Sequence, residues 1–160
     1  MAKRRLLEGM DRVMKKLNQE TTAIKGRTLH GMIRAAIIVR RDMDHGVPKV
    51  PVDTGNLWSS FFVVTSKGNV EQGQSPSFKD DDNGKMSTNH SAVINKVKGT
   101  ILNSKTPVVV MGFTANYAMW THELIGRKYQ RQGAGPRYFQ ASIRRNMPAM
   151  LKVIRDTAKI

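Results

Sequence analysis

Cysteine is absent from the 160 residues. That removes disulfides, thiolate metal ligands and cysteine nucleophiles together. Aromatic residues make up 6% of the chain, with two Trp and three Tyr, which is poor provision for stacking nucleic-acid bases. The core is therefore expected to be aliphatic, with ten Met lending it adaptability. No apolar run approaches the roughly 18 residues of a membrane helix, and the basic N-terminal stretch lacks the apolar segment of a signal peptide. The chain is expected to work where it is made, or in a particle assembled there. At 18.0 kDa and 39% hydrophobic residues, it predicts one domain spanning 1–160 with a buried core, and not wholesale disorder.

Acidic residues are also scarce. Lys and Arg number 27 against 12 Asp and Glu, for a net charge of +15. Residues 1–50 and 106–160 carry +7 each, and residues 51–105 carry +1. A polyanion such as nucleic acid is one partner this predicts; a basic face docking on acidic protein neighbours is the other.

Apolar residues recur at three- and four-residue steps through Leu6, Leu7, Met10, Val13, Met14, Leu17 and Ile24, then through Met32, Ala35, Ala36 and Val39. This predicts a helical region over 1–45. One straight helix over 4–40 would run about 55 Å, longer than the roughly 40 Å breadth of a compact domain this size. Either it breaks near Gly26 or Gly31, or it projects and packs on another chain. Residues 61–65 and 106–113 read as strands, the second an apolar run suited to burial on both faces. Residues 67–105 read as a loop or arm inserted between them, Gly-, Ser-, Asn- and Asp-rich at first, with a short helix over 91–102. Residues 137–158 predict a C-terminal helix, with Pro148 either kinking it or opening a second helix capped by Asn146.

The chemical motifs are weak. Asp53-Thr54-Gly55 is the tripeptide of aspartic proteases, but that enzyme needs two aspartates sharing a proton across a dimer and an almost all-β chain. It stands as a remote alternative. Asp80, Asp81 and Asp82 suggest a calcium loop, yet alignment on Gly84 puts Lys79 and His90 where acidic ligands belong. His122-Glu123 lacks the second His of a zinc-protease helix. No catalytic residue, metal site or cofactor site is predicted. Arg127, Lys128 and Arg131 around the Gly133–Pro136 turn, with Arg144, Arg145 and Lys152, are candidate polyanion contacts; the turn is equally explained as the start of the terminal helix.

Three motifs occur in order: Pro51-Val52-Asp53-Thr54-Gly55-Asn56-Leu57 ahead of a strand, Tyr117-Ala118 with Glu123, and Pro136-Arg137-Tyr138-Phe139 opening the last helix. In this the chain resembles the tail-completion, or head-to-tail joining, proteins of the neck of long-tailed bacteriophages. The resemblance spans nearly everything outside 67–105. It implies a structural protein and not an enzyme, a ring joining connector to tail. Its partners would be copies of itself and neighbouring adaptor, stopper, terminator or tail-tube proteins, with possible non-specific contact with genomic DNA and none with membrane. Its place would be the virion head–tail junction, after assembly in the host cytoplasm. Asp53, Thr54 and Gly55 would then hold a tight turn. The fold expected is α+β: a long N-terminal helix and a C-terminal helix packed on a small antiparallel sheet.

Overall fold

The computed structural model describes residues 2–52, 55–72, 89–126 and 128–159. Helix α1 (Ala2–His45) is followed by the single turn α2 (Asn56–Ser59) and strands β1 (Phe61–Thr65) and β2 (Val70–Gln72). Helix α3 (His90–Ile101), strand β3 (Val109–Phe113), helix α4 (Ala118–Glu123) and helix α5 (Tyr138–Ala158) complete the chain. The α+β architecture is the expected one: both long helices and a small antiparallel sheet.

Helix α1 does not break at either glycine. Its 44 residues give a length of about 66 Å at 1.5 Å per residue. Leu29, Ala35, Ala36, Val39 and Met43 are buried, whereas residues 10–23 are exposed throughout. Gly31 shows why the chain carries glycine in mid-helix. A Cβ there would stand 2.9 Å from the Ile154 Cα and 3.1 Å from the Thr157 Cβ, so α5 approaches the α1 backbone where nothing projects. The two helices run antiparallel. Gly31 meets the end of α5, the Ser142 hydroxyl donates to the Val39 carbonyl at 3.0 Å, and Arg145 reaches Asp42 at 2.6 Å.

The sheet order is β2-β1-β3, with both pairs antiparallel. All five residues of β1 are buried because this strand is central and covered on both faces. Phe61 and Val63 pack with Ala36, Val39, Met43 and Tyr138; Phe62 and Val64 pack with Ile94 and Ile101 of α3. Strand β3 sends Val109, Met111 and Phe113 to the first cluster and Val110, with Val108 just ahead of the strand, to the second. As an edge strand, it is only half-buried where full burial was expected.

The 67–105 segment requires a correction. Its two ends are not an arm: β2 pairs with β1 through Val64↔Val70, and α3 covers one face of the sheet. The signal lay in Ile94, Val97 and Ile101, whose helical spacing makes a core-facing stripe. Residues 73–88, with the acidic triplet, lie outside the described residues. Pro148 does not open a second helix, and Asn146 is not a cap. The helix runs unbroken, and the Asn146 side chain donates to the Ser142 carbonyl at 2.9 Å.

Candidate functional site

The first motif lies where the chain turns from α1 into the sheet. Pro51 and Leu57 are buried, and Leu57 belongs to the main core cluster. Asp53 and Thr54 lie outside the described residues. Gly55 adopts φ 88°, a left-handed conformation that costs other L-residues free energy. Its carbonyl accepts from both the Ser59 amide and the Ser59 hydroxyl, each at 2.9 Å. The Ser60 hydroxyl donates to the Leu57 carbonyl at 2.8 Å, and the Thr114 amide donates to the Ser60 carbonyl at 2.9 Å. The described part of this motif is therefore a hydrogen-bonded bend into β1.

The second and third motifs meet at the corner between α4 and α5. Tyr117, Ala118 and Phe139 pack against the same core cluster that holds Leu57. Phe113 lies edge-on to Tyr138 at 5.8 Å and to Phe139 at 6.2 Å. Burial pushes the Tyr138 phenol well above its usual range, so it stays neutral. Arg137 takes φ 55° at the N-cap of α5, and its amide donates to the His122 carbonyl at 2.7 Å. Glu123 lies on the surface, with one carboxylate oxygen 2.7 Å from His122 Nδ1 and the other 4.0 Å from Arg137. Pro136 is half-buried just ahead of this corner.

Two of the candidate polyanion contacts, Arg131 and Arg145, have partners within the chain. Arg131 donates to the Val50 carbonyl at 3.1 Å and the Asp44 carbonyl at 2.7 Å. It clamps the segment leading out of α1, which also bonds to the glycine turn through Lys49 N–H to Gly133 O at 2.8 Å. Arg145 forks onto Asp42 and donates to the Val47 carbonyl at 2.6 Å. Burial pushes the Asp42 carboxyl up, but hydrogen bonds from Arg145, Ser142 and Asn146 pull it further down, and the net shift is downward. A guanidinium held by carboxylate and backbone together is occupied. Lys128, Arg144 and Lys152 are exposed, and Arg127 lies outside the described residues.

No local pattern announces the cluster around Trp58. Its indole N–H donates to Asp44 at 2.6 Å, and the Arg40 guanidinium sits 4.6 Å above its ring and 5.1 Å from that of Phe61. Arg40 and Asp44 are four residues apart on α1, the helical spacing for such a pair; that Trp58 folds onto them depends on the bend at Gly55. Beside this cluster, Asp44, His45, Val52, Trp58, Gln130 and Arg131 line an open depression of about 600 Å³. Its acid and its cation are already engaged with each other, with Trp58 and with backbone.

The unsatisfied chemistry is apolar and on the surface. Met10, Val13, Met14 and Leu17 of α1 are each more than half exposed, and Met119, Trp120 and Ile125 at the α4 corner are about 70% exposed. Large apolar side chains concentrated this way mark contact surfaces. Among the described residues, no helix is long and apolar enough to cross a membrane, and no three His, Asp or Glu are grouped to hold a metal ion. The chain matches no family model, no curated protein and no solved structure.

Proposed function

We propose that this chain is a structural component of the bacteriophage head–tail junction, a tail-completion protein whose copies form a ring between connector and tail. The observation that carries the reading is the N-terminal half of α1. About 35 Å of helix (residues 2–24 at 1.5 Å each) extends past the end of α5, and among the described residues nothing covers its Met10–Leu17 stripe. Such a surface gains most when another polypeptide removes it from water. The three motifs support the reading in a second way: their described residues build bends and helix starts around one core. In this reading Asp53 has a structural job and not a catalytic one. Disrupting the gene in its phage is the test. The expected products are filled heads and finished tails that fail to join; normal infectious particles lacking the chain would end the proposal.

A second reading, a basic protein binding nucleic acid without sequence specificity, is favoured by one observation. Arg12, Lys16, Arg34 and Arg41 are all exposed and, at about 100° per residue, share the side of α1 opposite its apolar stripe. A ridge of cations along a straight helix suits a phosphate backbone. DNA affinity that falls steeply with salt is the result this reading requires.

A further inference from the structure

The described surface holds two concentrations of exposed large apolar side chains that one contact would cover together. One is the Met10–Leu17 stripe of α1. It lies on the same helical face as Ala35, Val39 and Met43, which pack into the core, so it continues an existing interface beyond the point where α5 ends. The other is the α4 corner, with Met119 and Trp120 on the helix and Leu124 and Ile125 just after its end. Trp and Met are residues that dominate protein interfaces when desolvated.

Charge selects between the surfaces available to the arm. Residues 2–25 carry seven Lys and Arg against three Asp and Glu, so two arms side by side would repel. Helix α5 has exposed Met147 and Leu151, but it too is basic, with four Arg and Lys against Asp156. Residues 118–126 carry Glu123 and no Lys or Arg. Lys128 and Arg137 stand at the margin of this corner, and Arg137 lies 4.0 Å from Glu123. The α4 corner thus carries fewer unpaired cations than α5 and receives a cationic helix with less repulsion than α5 or a second arm. Pairing of arms about a two-fold axis would also leave the α4 corner bare.

We infer that the projecting half of α1 in one copy seats Met10, Val13, Met14 and Leu17 on the Met119, Trp120 and Ile125 corner of a second copy. The contact joins two different surfaces, so it is heterologous, and repetition with rotation closes a ring. This rests on the self-assembly in the reading above and is independent of the particle in which assembly takes place.

The lack of cysteine makes the test clean, because each introduced thiol is unique. Met14→Cys and Met119→Cys are purified separately, then treated with a short bis-maleimide alone and as an equal mixture. Cross-linked dimer is expected in the mixture at several times the yield of either variant alone. In the unmodified chain, Leu17→Asp and Trp120→Asp are each expected to shift the mass of the assembly to that of the monomer without loss of helical circular dichroism; Met147→Asp is expected to leave the assembly intact. Dimer from Met14→Cys alone at the yield of the mixture would mean that arms pair with each other, and overturns the inference. So would an assembly that forms with no cross-link between the two positions, or a chain that is monomeric at every concentration. The gene-disruption result is unaffected by these outcomes, so the two proposals fail separately.

Discussion

Replacing Gly31 by Ala sets two effects of known size against each other. In a helix interior, Ala is favoured over Gly by about 1 kcal/mol. At residue 31 the new methyl would stand 2.9 Å from the Ile154 Cα and 3.3 Å from the Ile154 carbonyl oxygen, and backbone has no rotamer by which to withdraw. Helix α5 must retreat by about half an ångström or more, loosening the contacts that reach as far as Ser142 and Val39. Overpacking of this kind costs about 1–3 kcal/mol. The net expectation is a loss of about 1 kcal/mol of stability. Gly99→Ala on α3 is the control, since a Cβ there has nothing within 4 Å; it is expected to gain up to about 1 kcal/mol. Urea unfolding followed by circular dichroism reads both. The substitutions should move the midpoint in opposite directions at similar slope. Stabilisation by Gly31→Ala equal to that by Gly99→Ala would refute the close approach of α5.

The Asp42–Arg145 fork gives a pH dependence. The folded carboxyl is shifted downward, so its contribution is complete above the ordinary unfolded Asp value of about 3.9 and is lost as pH falls through the lower folded value. Arg145→Met should therefore cost about 0.5–1 kcal/mol near neutrality, allowing for the exposure of the guanidinium, and the difference from the parent chain should shrink below about pH 4 in acid unfolding curves. Ser142→Ala removes a buried hydroxyl bond to the Val39 carbonyl and should lower stability by about 1 kcal/mol in the same urea assay, the value of one lost hydrogen bond, because the carbonyl keeps its bond within α1. Neutralising Lys128, Arg144 and Lys152 together should leave folding unchanged; a large drop in low-salt DNA binding would promote the nucleic-acid reading, and no change would remove these residues from it. Deleting residues 73–88 should leave a folded chain by circular dichroism but impair joining of heads to tails.

The elements most legible in the sequence were those with a long period. The α1 stripe from Leu6 to Val39 and the α5 stripe around Phe139 and Met150 announced helices because three- and four-residue spacing persisted over many turns. Whether α1 would break was not legible. Gly31 reads as a weak point in isolation, and only the packed α5 reveals it as a contact position. The same limit applies to Arg131 and Arg145: a cation in a sequence carries no sign of whether a carboxylate or carbonyl from a distant segment will occupy it. The helix expected over residues 91–102 belongs to the sheet's cover and not to an excursion; the polar stretch before it masks its apolar face. The three motifs were found in order, and their packing around one core depends on long-range contacts between Leu57, Tyr117 and Phe139 that no local pattern contains.

The central claim, that this chain serves by stacking on copies of itself where head meets tail, is tested most directly by quantitative mass spectrometry of purified virions combined with imaging of a tagged chain. A fixed, small number of copies per particle, all located at the junction, is expected. Particles that are complete and infectious yet contain none of the chain would contradict it.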